Sequence, residues 1–138
     1  MWIYEGKDVE EVPENMFGFV YLIECTKNGK KYLGRKYFTK AGYKVVKGKR
    51  KKLRKESDWG TYYGSSKDLL ADLELYGAES FKRTILRFCQ SRGETNYQEA
   101  KLQFQYNVLE EKLPDGSPLW YNGWISGKFH RASISKKA

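Results

Sequence analysis

Met16-Phe17-Gly18-Phe19-Val20-Tyr21-Leu22-Ile23-Glu24-Cys25 is followed by Thr26-Lys27-Asn28-Gly29-Lys30 and then by Lys31-Tyr32-Leu33-Gly34. In the first run Phe17, Phe19, Tyr21 and Ile23 fall on one face of an extended chain, and Met16, Gly18, Val20 and Leu22 on the other, which is the period of a strand. Both faces are largely apolar, so this strand is expected to be central and covered on both sides. Asn28-Gly29 between two strand-like runs predicts a tight hairpin, because both turn positions tolerate positive φ. Residues 31–34 then return as the partner strand.

Outward from this hairpin the chain reads as one α+β unit. Residues 1–15, with Glu10, Glu11, Pro13 and Glu14, look like a polar lead-in. Ser65-Ser66-Lys67-Asp68 fits a capping box, opening a helix that carries Leu69, Leu70, Leu73 and Tyr76 and stops at Gly77. Residues 80–89 read as a third strand. Thr95-Asn96-Tyr97-Gln98 is a second capping box, expected to open a helix with Tyr97, Ala100, Phe104 and Val108 on one side and an end near Glu110. Asp115-Gly116-Ser117-Pro118 is a turn. The expected architecture is a small three-stranded antiparallel sheet flanked by helices, a single domain over 1–138 with its core at 16–122. A basic insertion spans about 36–60 and a basic tail 123–138.

Charge supplies the first functional hint. Twenty-six Lys and Arg against 17 Asp and Glu leave +9, an excess that points to a polyanionic partner. Lys44, Lys47, Lys49, Arg50, Lys51, Lys52, Arg54 and Lys55 follow one another with no acid between them. So dense a run is expected to be a loop or helix edge that orders on phosphate, with Lys49, Arg50, Lys51, Lys52 and Lys55 as nucleic-acid contacts. Val45, Val46 and Leu53 are too few to build a membrane-binding face, and no stretch is long and apolar enough to span a bilayer. Cys25 and Cys89, 64 residues apart, read as ordinary buried thiols rather than as a disulfide or zinc site. With no secretory pattern at the N-terminus, a cytoplasmic location is expected, the host cytoplasm if the protein is viral.

Phe19-Val20-Tyr21 and Tyr32-Leu33-Gly34, with eleven residues from Tyr21 to Tyr32, resemble the paired tripeptides of the GIY-YIG nucleases. Gly77, Phe81 and Ile85-Leu86 resemble the approach to that family's third strand. Glu99 stands where the family keeps a metal-binding glutamate, and Tyr121-Asn122 resembles its closing Tyr-Asn pair. The resemblance runs from about residue 16 to 122. It implies a DNA endonuclease of viral or mobile-element type, dependent on magnesium or manganese. It also implies Tyr21 and Tyr32 as catalytic residues, Glu99 as metal ligand, and Gly34 and Asn122 as structural parts of the motif. Phe19 departs from the family's first glycine. Gly42 stands where the family places its catalytic arginine, which leaves Arg35, Lys36 and Arg54 as candidates for that role. The only histidine, His130, lies far from the region where family members often carry one.

The residue chemistry is consistent with this. Phosphodiester hydrolysis needs a water nucleophile, a group to take its proton, and positive charge on the phosphate. One carboxylate plus waters and substrate oxygens suits magnesium. A tyrosine could accept the proton if neighbouring cations lowered its pKa from about 10. Each residue also has a plainer reading. Tyr21 and Tyr32 could be core, Glu99 a helix-start acid, the cations solvated charges, Ser65 and Ser66 caps, and Trp59, Tyr62 and Tyr63 packing rather than base-stacking rings. A nuclease-like protein that binds DNA without cutting it is the alternative function. A basic structural protein of a nucleoprotein particle would explain the charge but not the tyrosine–tyrosine–glutamate set. One site per chain favours nicking, with dimerisation on substrate as the route to a double-strand cut.

Overall fold

A computed structural model describes residues 1–125 and 127. His130 and most of the basic tail lie outside the described residues. The strands are β1 (Trp2–Tyr4), β2 (Lys7–Val9), β3 (Gly18–Cys25), β4 (Lys31–Tyr37), β5 (Thr39–Val46), β6 (Lys49–Glu56) and β7 (Phe81–Cys89), and the helices are α1 (Lys67–Tyr76) and α2 (Arg92–Gln105). β1 to β4 and β7 form a five-stranded sheet in the order β2-β1-β7-β3-β4, while β5 and β6 form a separate two-stranded ribbon. β3 is central, as its two apolar faces require, and pairs antiparallel with β4 and β7.

The expected three-stranded antiparallel sheet (β7-β3-β4) is therefore only one end of a mixed sheet. The supposed lead-in contributes β1, parallel to β7, and β2, antiparallel to β1. The reason is Trp2, which is fully buried and packs against Phe19 and Tyr21. Its indole Nε1 donates to the Trp59 carbonyl at 2.6 Å. One large aromatic anchor fixes a segment whose remaining residues are polar.

The two faces of the sheet carry separate cores. On one face Trp2, Phe19, Tyr21, Ile23, Phe38, Trp59 and Leu69 pack together. On the other are Val20, Leu33, Cys89, Val108 and Trp120. Both cysteines are free and buried, and burial pushes the Cys89 thiol up to about 12. No helix among the described residues is long and apolar enough to cross a membrane.

Two local readings are corrected in the connecting segments. Asn28-Gly29 does not form a two-residue turn, since β3 and β4 are joined by a wider loop in which Gly29 alone has positive φ, 76°. The Asn28 side chain instead accepts from the Lys30 amide and donates to Asp72 and Tyr121, tying the loop to α1 and to the C-terminal segment. The two-residue turn occurs at Lys47-Gly48, with φ of 51° and 76°, the backbone that lets β5 and β6 pair without splaying. The basic insertion is thus a β-hairpin, not a loop or helix edge.

Both helices also start elsewhere than at the first residue of the expected boxes. Ser66, not Ser65, caps α1 by accepting from the Leu69 amide. Ser91 caps α2 by accepting from the Glu94 amide, four residues before Thr95. Thr95 lies inside the helix with its hydroxyl donating to the Ser91 carbonyl. The buried face of α2 is largely polar (Thr95, Gln98, Gln103), and Phe104 is exposed. The helix packs on β3 and β4 where Gly18 leaves room, since a Cβ there would lie 2.8 Å from the Lys36 carbonyl and 3.0 Å from Thr95 Oγ1.

Candidate active site

β4 positions most of the site. Strand alternation sends Tyr32, Gly34 and Lys36 to one face and Leu33, Arg35 and Tyr37 to the other. On the first face Tyr21 stands opposite Gly34 in register, with the Tyr21 and Tyr32 rings 6.2 Å apart. A Cβ on Gly34 would lie 2.6 Å from Tyr21 Oη and 2.9 Å from Tyr32 Cε2, and one on Gly64 about as close as 3.2 Å to Tyr32. Two glycines therefore make the space in which the tyrosine pair sits.

On the second face Arg35 Nη1 donates to Glu99 Oε1 at 2.9 Å. Arg35 Nε also donates to the Tyr37 hydroxyl, which in turn donates to Asn96 Oδ1. Asn96, Glu99 and Gln103 lie at three- and four-residue spacing on α2, so one helical face serves this whole edge. Gln103 Nε2 donates to the Leu33 carbonyl at 3.0 Å. Asn122 accepts from the Leu33 amide and donates to the Leu33 carbonyl. The Asn122 amide thus replaces a neighbouring strand along the open edge of β4.

The two faces meet around that edge in a cavity of about 790 Å³. Its lining includes Tyr21, Tyr32, Arg35, Lys36, Arg54, Glu99 and Asn122, so these seven sequence candidates converge on one surface. Gly34 lies beneath the tyrosines. Lys49, Arg50, Lys51, Lys52 and Lys55 do not line the cavity and stand along β6. Sequence reading passed over Tyr37, Lys40, Lys67, Arg92, Gln103 and Trp124, which also line it. Only the alternation of β4 and the phase of α2 could have pointed to Tyr37 and Gln103. Of the three rings near the insertion, Trp59 is core, Tyr63 stacks on Arg83, and Tyr62 reaches the cavity.

Among the described lining residues Glu99 is the only acid, against Arg35, Lys36, Lys40, Arg54, Lys67 and Arg92. The candidate cations differ in their ties. Arg35 is held by Glu99. Lys36 Nζ lies 2.7 Å from Asp58 and 3.9 Å from the Tyr62 ring centroid. Arg54 donates to the Thr39 side chain and carbonyl at the root of the hairpin.

The electrostatics depart from expectation at the tyrosines. A role as proton acceptor was conditional on cations lowering them. Instead burial pushes the Tyr21 phenol well above its ordinary range, with Tyr32, Tyr62 and Glu99 adding to the rise. Tyr32 is also raised, by burial first, against a hydrogen bond to Ser65 that lowers it. The cations are engaged at the rim while Tyr21 is only 1% exposed, so desolvation prevails. Burial likewise raises Glu99, against the lowering effect of Arg35.

Arg83, just outside the cavity, holds one wall in place. Its guanidinium lies between the Trp2 and Tyr63 rings, 4.6 and 4.3 Å from their centroids, and donates to the Gly60 and Tyr62 carbonyls. Arg83→Ala is expected to cost about 2–3 kcal/mol of stability, seen as a lower urea midpoint, because two charged hydrogen bonds and the ring contacts go together.

Three comparisons bear on this geometry. The family model described as "Putative endonuclease segE, GIY-YIG domain" matches residues 2–125. No curated protein matches the chain, and no solved structure does. The match begins at β1, which the sequence reading had left outside the core, and ends just beyond Asn122. The paired tripeptides on β3 and β4, the glutamate of α2 and the asparagine on the β4 edge all fall within it, and the chain belongs to the GIY-YIG nuclease family.

Proposed function

We propose that the chain is a divalent-metal-dependent endonuclease that hydrolyses DNA phosphodiester bonds. The observation that carries this reading is one cavity around the β4 edge whose described lining holds a single carboxylate, the Tyr21–Tyr32 pair and six cationic side chains. The donor set fits magnesium or manganese. Glu99 is a lone, mostly buried carboxylate, and such ions take one or two carboxylates together with waters and substrate phosphate oxygens. A bound divalent ion would supply charge neutralisation at the phosphate and a more acidic water.

The remaining roles belong to this chain's own side chains. Glu99 on α2 would hold the metal, and Arg35, paired with Glu99 at 2.9 Å, would place positive charge beside the phosphate. Lys36 and Arg54 lie across the same cavity and add positive charge as the phosphate becomes more anionic. Tyr32, the less buried of the tyrosines, orients the attacking water through its hydroxyl, and Tyr21 holds Tyr32 in place. Because both phenols are raised, they act here as neutral hydrogen-bonding groups. The cations of the ribbon hold the flanking DNA. One cavity per chain supports nicking, with a second copy on the substrate for a double-strand cut.

The test is plasmid relaxation by the purified chain in magnesium or manganese, with and without chelator. Nicking that requires the metal is the expected result. Salt-sensitive DNA binding with no nicking under any metal would instead establish a nuclease-like binding protein, a reading favoured by the Arg35–Glu99 pair, which engages one oxygen of the carboxylate.

A further inference from the structure

The hairpin β5–β6 holds nine basic residues between Lys40 and Lys55 and no acid before Glu56. Twenty-six basic residues less these nine leave seventeen, equal to the seventeen acids of the whole chain. The net charge of the protein therefore equals the charge of residues 40–55. Register divides it by face. Lys40 is opposite Lys55, Gly42 opposite Leu53, Lys44 opposite Lys51, and Val46 opposite Lys49. Since opposed residues share a face, one face carries five lysines and no acid. The other carries Arg50, Lys52 and Arg54 among Thr39, Ala41, Tyr43, Val45 and Glu56. On that face the Arg50 guanidinium stacks on the Tyr43 ring at 4.1 Å, and Arg54 is bonded to Thr39.

Two directly opposed lysine pairs destabilise a hairpin that has little else to hold it. Their repulsion is relieved when phosphate lies between them. Lysine is a point charge, suited to phosphate without regard to sequence, whereas bidentate base reading is done by arginine. The root of the ribbon (Thr39, Lys40, Ala41, Arg54) lines the catalytic cavity. Each strand has eight residues, so the tip lies about 26 Å away along the ribbon. At about 3.4 Å per base pair this corresponds to roughly seven or eight base pairs.

We propose that the ribbon is a one-sided clamp for duplex DNA, its lysine face seated on the phosphate backbone to one side of the scissile bond. Its grip is independent of base sequence, and it offsets the footprint from the cut. The inference depends on the nuclease reading only for where the cut lies.

The experiment measures binding of the full chain to a 30-base-pair duplex, with no divalent metal, over a range of salt concentrations. Two variants remove equal charge from opposite faces, Lys44→Gln with Lys51→Gln, and Arg50→Gln with Lys52→Gln. Losing the lysine pair should flatten the slope of log affinity against log salt by about 2, since each phosphate contact contributes about 0.9. The arginine-face variant should change it by less than half as much. Hydroxyl-radical footprinting should show protection extending about seven base pairs to one side of the nick, retracting when residues 43–52 are replaced by Asn-Gly. Equal slope changes from both faces, unchanged slopes, a footprint centred on the nick, or equally tight binding of single-stranded DNA would each overturn the clamp. A chain that shows the face-dependent slope yet cuts nothing would overturn the nuclease reading and leave the slope result standing. A chain that nicks DNA with unaltered slopes would do the reverse.

Discussion

Glu99→Gln is expected to reduce metal-dependent cleavage at least about a thousandfold, roughly 4 kcal/mol of transition-state stabilisation, while leaving the chain folded. Glu99 is the only acid among the described residues of the cavity lining, so no neighbouring carboxylate can take over the metal. The amide is isosteric and keeps an oxygen to accept from Arg35. Stability should not fall. Burial raises the Glu99 carboxyl in the folded chain, so the folded state binds its proton more tightly than the unfolded state does. The charged form therefore costs stability, and that cost grows as pH rises from the ordinary glutamate range through the raised value. At neutral pH the glutamine variant should be at least as stable as the natural chain, and the advantage should vanish in acid. Plasmid nicking in magnesium and manganese, paired with urea unfolding across pH, measures both. Cleavage within tenfold of the natural rate would remove Glu99 from the metal site. Loss of fold together with activity would make it a structural charge.

Gly34→Ala is expected to be nearly as damaging, by a different route. The added methyl would lie 2.6 Å from Tyr21 Oη, 2.8 Å from its Cζ and 2.9 Å from Tyr32 Cε2. Tyr21 is 1% exposed, so its ring has nowhere to retreat. Overpacking of this kind costs about 1–3 kcal/mol. Displacing a positioned group by about 1 Å costs on the order of a hundredfold in rate. Gly60→Ala is the matched control, because a Cβ there meets nothing within 4 Å and Gly60 does not line the cavity. Urea midpoints and nicking rates of both variants should separate them clearly. A Gly34→Ala chain indistinguishable from the control would mean that the tyrosine pair tolerates being moved.

Strands β3 and β4 were legible because their signals are local. Phe19, Tyr21 and Ile23 alternate with Val20 and Leu22, and that alternation by itself makes β3 an interior strand. The spacing of the two tripeptides, the position of Glu99 and the Tyr121-Asn122 pair led to the family for the same reason. Each is a residue type at a fixed chain offset. Charge density likewise marked the hairpin as the seat of the protein's charge, though not its shape.

What the sequence left open depends on contacts between distant residues. A polar N-terminal segment joins the sheet because one indole, Trp2, finds a pocket built by Phe19, Tyr21 and Arg83. The basic run pairs as a ribbon because Lys47-Gly48 adopts the turn that Asn28-Gly29 was expected to make. Asn28 spends its side chain on Asp72 and Tyr121 instead. The tyrosines rise in pKa although cations surround them, because burial outweighs charges held at the rim. Residue identity and spacing determined the family, the β3–β4 pair and the concentration of positive charge. Which cation faces Glu99, which tyrosine stays accessible and which lysines share a face were decided only by the tertiary structure, because burial and strand register are properties of the packed chain.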